Sequence, residues 1–162
     1  MSHHNSNKKY QQAFREFADL SRFANPIAVT LTMKQGIKIG SSFQWLSRDF
    51  AIQNYRHFMN LLNVEVYGKR FKRHGVRIQT IPVLEGDNLA RLHFHCVIDR
   101  PVEVDFDRFS WMIETCWKRT DWGYNQIDIQ PSCDDGWTKY ISKYRGKTDY
   151  IDSFDWSNTH MS

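Results

Sequence analysis

The chain has few of the residue patterns that mark membrane, secreted or disulfide-bonded proteins. It has no run of about eighteen apolar residues, which excludes a transmembrane helix. Its first nine residues are polar and lack the apolar stretch of a signal peptide. Its 3 cysteines include no Cys-x-x-Cys pair, which argues against a disulfide framework and a structural zinc knuckle. We therefore expect no membrane partner and a cytoplasmic location.

The chain does contain enough apolar residues for one packed domain. Of its 162 residues, 41% are hydrophobic and 15% are aromatic, which suits a single domain with its own core. The net charge of +4 is a mild basic bias that favours a polyanionic partner. We expect a disordered polar tail over 1–8, a folded domain over 9–147 and an acidic C-terminal tail over 148–162.

The spacing of apolar residues predicts a mixed order of helices and strands, α-β-α-β-β-α-β-α. The middle of this order, βαββαβ, is the split pattern of a ferredoxin-like or RRM-like α+β fold. Such a fold has an antiparallel sheet with helices on one face, and the active site is expected on the open face. The predicted helices cover 9–23, 49–66, 105–117 and a segment from 134, the predicted strands cover 27–33, 76–84, 89–98 and 124–130, and 34–42 is predicted as a loop.

The most informative segment is 92–99, which reads Leu-His-Phe-His-Cys-Val-Ile-Asp. On a strand, alternation places His93 and His95 on one face and the apolar residues between them on the other. Isolated His-x-His pairs also occur for packing reasons, but Arg91 and Asp99 make this face too polar for a second core. Imidazoles bind Mn, Zn and Fe, so the segment predicts part of a metal site.

Three blocks of the chain resemble the HUH endonucleases, the nicking enzymes of rolling-circle replication initiators, relaxases and some transposases. Residues 29–32, Val-Thr-Leu-Thr, resemble the first strand motif of that superfamily. His93-Phe94-His95 matches its His-hydrophobic-His motif, and Tyr140-Ile141-Ser142-Lys143 matches its Tyr-x-x-Lys helix motif. Order and approximate spacing agree with the replication-initiator branch over residues 26–147.

This resemblance implies metal-dependent nicking and rejoining of single-stranded DNA. Tyr140 would attack the phosphorus, become linked to the 5′-phosphate and free a 3′-hydroxyl. Lys143, one helical turn away, would stabilise negative charge, and Tyr144 would be a second nucleophile or a packing residue. The metal, Mg or Mn, would be held by His93, His95 and one further residue.

Two upstream residues are candidates for the third metal ligand, since the superfamily places an acidic or amide residue just before its histidine pair. A tight hairpin turning at Asp87 would set Gln79 opposite His95 and leave Glu85 about 13 Å from His93 along the strand. A wider loop would bring Glu85 into range. We predict Glu85, because a carboxylate binds a hard cation better, and keep Gln79 as the alternative.

The most basic stretch of the chain, 69–74, predicts contacts to DNA phosphates and a binding affinity that falls with salt. Its candidate residues are Lys69, Arg70, Lys72 and Arg73. Three tryptophans, Trp45, Trp122 and Trp137, are candidates for stacking on single-stranded bases, although each also fits packing.

The resemblance implies a replication initiator of a plasmid, phage or virus that acts on single-stranded DNA at an origin or hairpin. No Gly-x-x-x-x-Gly-Lys-Ser/Thr sequence occurs, so the helicase is expected on a separate protein, as is the DNA polymerase. Transposase or relaxase strand transfer would use the same chemistry. A hydrolytic metal nuclease and a non-catalytic binding module with an RRM-like sheet are further alternatives.

Overall fold

A four-stranded antiparallel sheet forms the centre of the protein. The computed structural model describes residues 12–13, 16–17, 19–86, 91–133, 136–137 and 153–162. In chain order the elements are β1 (Pro26–Met33), β2 (Gly36–Ile39), β3 (Ser42–Trp45), α1 (Arg48–Tyr67), α2 (Lys69–His74), β4 (Thr80–Glu85), β5 (His93–Asp99), α3 (Phe106–Lys118) and β6 (Gly123–Gln130). The sheet order is β4-β5-β1-β6, and β2 pairs only with β3. This order confirms the predicted α+β class and is compatible with a ferredoxin-like split core.

Helices α1 and α3 cover one face of the sheet, as predicted. The side chains of Ser47 and Asp105 cap their first turns by accepting hydrogen bonds from backbone N–H groups. Each helix turns an apolar stripe toward the sheet, including Phe58 of α1 and Trp117 of α3, both fully buried. No helix within the described ranges is both long and apolar enough to cross a membrane.

Strand alternation decides which residues of β1 and β5 reach this core. Ile27, Val29, Leu31 and Met33 of β1 are buried beneath the helices, together with Phe94, Cys96 and Ile98 of β5. Thr30 and Thr32 therefore lie on the opposite face with His93 and His95, their register partners. The predicted two-faced character of the histidine strand is confirmed.

Several predicted boundaries are wrong for local reasons. Residues 34–42 are not a loop, because β2 and β3 form a hairpin whose turn contains Gly40 at φ 60°. The strand predicted over 76–84 begins only at Thr80, since the N–H of Ile78 bonds to the side chain of Asn63. The helix predicted over 9–23 lies largely outside the described residues, and Leu20–Arg22 form a 3-10 turn.

The second sheet face is open only in part, contrary to the prediction. A smaller apolar cluster covers its β4 side, and Phe154 from the C-terminal segment packs there against Ile81, Val83 and Val97. The segment is fixed to β4 by backbone bridges at Val83 and Thr80. Burial raises the pKa of the Asp155 carboxyl, which accepts hydrogen bonds from two neighbouring side chains. The uncovered part of the face lies toward His93 and His95.

We expect the thiols of the folded protein to resist alkylation and disulfide exchange. Cys96, Cys116 and Cys133 are buried and free. Burial raises the pKa of Cys96 to about 12 and that of Cys116 to about 11, so almost no thiolate exists at pH 8. Ellman's reagent should therefore detect fewer than one thiol in the native protein and all 3 in guanidinium. A native thiol that reacts within seconds at pH 8 would contradict this prediction.

Candidate metal centre

The register of three strands brings a carboxylate and two imidazoles together on the uncovered face. Glu85, the last residue of β4, is the register partner of His93, the first residue of β5. His95 lies two residues further along β5 and is paired with Thr30 of β1. Both histidines come from a strand held on both sides by neighbours, so their backbone positions are fixed by the central pairing of the sheet.

The three side chains converge on one point. His93 Nε2 lies 3.2 Å from His95 Nε2, and Glu85 Oε2 lies 3.8 Å and 3.5 Å from these two nitrogens. Metal–ligand bonds are about 2.0–2.2 Å long, so two ligands of one ion lie within about 4.4 Å of each other. The side chains are 16–27% exposed, which leaves the centre open to a substrate. Two imidazoles and one carboxylate suit a divalent ion such as Mn, and the residues fit the group.

The other nitrogen of each ring has its own partner, which orients the ring toward the centre. His93 Nδ1 lies 2.8 Å from the carbonyl oxygen of Arg91. Since a carbonyl can only accept, His93 donates from Nδ1, and in the neutral ring Nε2 keeps its lone pair. His95 Nδ1 lies 3.0 Å from the hydroxyl of Thr30, which can accept in the same way. Such outer partners fix the tautomer of metal-binding histidines.

The structure places Glu85 beside the histidines and Gln79 far from them. Gln79 lies at the other end of β5, where its side-chain amide donates to Asp99 and to the carbonyl of Arg22. The connection between β4 and β5 is therefore wider than a tight turn at Asp87. The role of Glu85 as a ligand remains a prediction.

Three other predicted sites have different outcomes. Tyr140, Lys143 and Tyr144 lie outside the described residues. The basic stretch forms α2, where Lys69, Arg70, Lys72 and Arg73 are exposed. Arg70 lies over the ring of Tyr67, and burial, together with the charges of Glu103 and Asp99, raises the pKa of that phenol. The structure thus puts α2 near the Asp99 end of β5, about 20 Å along the strand from His93, and does not bring it to the metal centre.

The three tryptophans also differ. Trp122 is buried and stacks on Phe50, and Trp137 packs against the smaller apolar cluster, so both contribute to packing. Trp45 is 69% exposed on the β2–β3 hairpin.

The contribution of Thr30 was missed by sequence reasoning. Alternation within 29–32 places Thr30 on the face of the histidines, and that signal is present in the sequence. Its pairing with His95 depends on the register between β1 and β5, which are separated by about sixty residues of chain.

Comparison with known families identifies the chain. A family model described as replication-associated protein ORF2 matches residues 26–149, about three quarters of the chain. No curated protein and no solved structure matches it. The matched range includes β1, the histidine strand and the metal centre, and the family is consistent with initiation of rolling-circle replication. The chain is a member of this family of replication-associated proteins.

Proposed function

We propose that this protein nicks and rejoins single-stranded DNA in a metal-dependent reaction of the HUH type, at the origin of a rolling-circle replicon. The observation that carries the proposal is the convergence of Glu85, His93 and His95 on the uncovered sheet face of a replication-family chain. The chain's own basic bias suits a DNA substrate.

The metal centre would bind the scissile phosphate at the sheet surface. His93, His95 and Glu85 would hold a divalent ion, Mg or Mn, which when bound supplies stabilisation of the negative charge on the phosphate oxygens. Arg91, through its carbonyl, and Thr30 keep the two rings aimed at this position. The partly exposed position of the three ligands leaves room for a strand to lie across the sheet.

Tyr140 would provide the nucleophile. Its hydroxyl oxygen forms a bond to phosphorus as the bond from phosphorus to the 3′-oxygen breaks, and the phenolic proton is lost while the 3′-oxygen gains one. One phosphodiester is exchanged for a phosphotyrosine ester, which preserves the bond for rejoining. In support, Trp137 packs against the apolar cluster on the histidine face, and three residues of chain carry Tyr140 no more than about 11 Å from it. Lys143 would stabilise charge, and Tyr144 would be a second nucleophile.

A denaturing gel of protein with labelled single-stranded oligonucleotides tests this proposal. We expect a covalent protein–DNA adduct in Mn²⁺ that is absent in EDTA and in Tyr140→Phe. Tyr144→Phe is the matched control, since it removes the same hydroxyl four residues away. The substrate pool should include the origin of the element that encodes the protein.

The outcomes separate the alternatives. Loss of the adduct only in Tyr144→Phe would move the nucleophile to Tyr144. Metal-dependent cleavage without an adduct would replace the proposal with a hydrolytic nuclease, and metal-independent binding without cleavage would replace it with a binding module. Transfer of the bound strand between two unrelated ends, in place of rejoining, would favour transposase or relaxase chemistry.

The wider assembly follows from the same proposal. DNA unwinding and synthesis would come from a separate helicase and DNA polymerase. The exposed cations Lys69, Arg70, Lys72 and Arg73 would contact phosphates away from the scissile bond, since α2 does not lie at the metal centre.

Removing the hydroxyl that holds His95 is expected to weaken metal binding. Thr30→Val keeps the shape and strand propensity of the residue but leaves His95 Nδ1 without its 3.0 Å partner. Loss of such an outer partner lowers metal affinity about 10- to 100-fold. Titration with Mn²⁺ by calorimetry measures the change, and Thr32→Val on the same strand face is the control. Unchanged affinity in Thr30→Val would show that the hydroxyl does not orient the ring.

A further inference from the structure

The β2–β3 hairpin presents an aromatic surface to solvent. Phe43 and Trp45 lie on one face of β3, 56% and 69% exposed, with their ring centroids 4.8 Å apart in an edge-on arrangement. Lys38 is the register partner of Phe43 on β2 and is also exposed. We call Lys38, Phe43 and Trp45 the hairpin aromatic face. Large exposed aromatics that contact each other and adjoin a cation are a feature of nucleic-acid surfaces.

Gly36 makes room for this arrangement. It pairs with Trp45, and a Cβ atom built on Gly36 would lie 2.2 Å from the outermost carbon of the Phe43 ring. The ring therefore lies flat over the backbone of β2, in space that any other residue would occupy. Gly36 does not have a positive φ, so its lack of a side chain matters here for space and not for backbone conformation.

The hairpin is attached to the metal centre through Gln35. The side-chain amide of Gln35 donates to the carbonyl of Leu92, and its oxygen accepts from the N–H of Leu92, directly before His93. The backbone carbonyl of Gln35 accepts from Leu46 after β3. Ile37 packs against the main core, which turns the opposite face of the hairpin outward. The hairpin thus projects from the end of the sheet where β5 begins with His93.

We propose that the hairpin aromatic face stacks on bases of the single-stranded DNA that leads to or from the metal centre. This inference rests on the proposed function and adds a positioning site to it. Every base has an apolar ring face that can stack on Phe43 or Trp45, while Lys38 would contact the adjoining phosphate. The site would hold the strand and would take no part in the bond exchange.

Fluorescence anisotropy with a labelled oligo-dT tests the inference in EDTA, where no cleavage can occur. A deoxyribose-phosphate oligomer of equal length without bases is the second probe, since it has the same charge. We expect Trp45→Ala and Phe43→Ala each to weaken oligo-dT binding by about fivefold to 100-fold and to leave binding of the abasic oligomer unchanged. Gly36→Ala should also weaken oligo-dT binding, because it displaces the Phe43 ring without removing an aromatic.

Trp111→Ala is the matched control. Trp111 is 60% exposed on α3, which packs on the opposite side of the sheet, and its loss should change oligo-dT binding by less than about twofold. The inference is overturned if Trp45→Ala binds oligo-dT as tightly as the unmodified protein, or if it loses affinity for both probes equally. Failure of the adduct assay with base-dependent loss in Trp45→Ala would reject the nicking proposal and keep the stacking site.

Discussion

Replacing His95 with alanine is expected to lower metal-dependent strand cleavage by about a thousandfold or more. His95 Nε2 lies 3.2 Å from His93 Nε2 and 3.5 Å from Glu85 Oε2, so its removal leaves only two of the three converging ligands. A bound ion contributes several kcal/mol to stabilising charge in the transition state, and loss of about 4 kcal/mol corresponds to a thousandfold in rate. Initial rates of oligonucleotide cleavage in Mn²⁺ measure this effect.

Thermal unfolding gives a second readout that does not depend on catalysis. A ligand that binds only the folded state stabilises it by about 2.7 kcal/mol at a concentration 100 times its Kd. Mn²⁺ should therefore raise the Tm of the unmodified protein and leave that of His95→Ala unchanged. In EDTA the two proteins should melt within a few degrees of each other, because the His95 side chain is 16% exposed and is not part of the apolar core.

His57→Ala is the matched control for His95→Ala. His57 is exposed on α1, which packs on the helix-covered side of the sheet, so its loss should change neither cleavage nor the Mn²⁺ effect on Tm. Full cleavage by His95→Ala in Mn²⁺ would reject the metal centre. Equal losses in His95→Ala and His57→Ala would point to a general effect of histidine removal.

The parts of this fold that sequence reasoning predicted well are those decided by local periodicity. β1 alternates between buried apolar residues and threonines, and α1 buries a stripe at helical spacing. The two faces of the histidine strand follow from the same rule, which is why His93 and His95 were found first. Residues within one element need no knowledge of the rest of the chain.

The parts that were missed depend on contacts between distant segments. Whether Glu85 or Gln79 lies beside the histidines is decided by the width of the β4–β5 connection, because one loop length brings Glu85 to His93 and another does not. The coverage of the second face by Phe154 joins segments that are far apart in the chain. No local pattern in the acidic C-terminal segment indicates that it packs on β4.

The missed hairpin has a different cause. β2 and β3 have four residues each, and three of their large apolar side chains, Ile39, Phe43 and Trp45, are exposed. A strand pair that buries only part of one face has too few alternations for a period of two to be recognised. Its glycines and serines then indicate a loop.

Replacing Phe94 with alanine is expected to lower the free energy of unfolding by about 3–5 kcal/mol, the usual cost of truncating a buried phenylalanine. Phe94 is fully buried between His93 and His95, and its ring lies 4.7 Å from that of Tyr55 on α1. The substitution leaves a cavity between the sheet and the helix layer, because neighbours in a packed core relax only in part. Urea denaturation in EDTA, which removes any contribution of bound metal, measures the loss.

Phe43→Ala is the control for this prediction, since it makes the same substitution at an exposed site. Phe43 contacts Trp45 but no part of the main core, so its loss should cost about 1 kcal/mol or less. If Phe94→Ala also costs no more than 1 kcal/mol, the packing of β5 against α1 is not as the structure has it. The effect also connects packing to function. Domains of this size are stabilised by only about 5–15 kcal/mol, so Phe94→Ala would lose cleavage on warming by unfolding the strand that carries both histidines. At low temperature, where that strand remains folded, its cleavage should approach that of the unmodified protein, whereas His95→Ala should stay inactive.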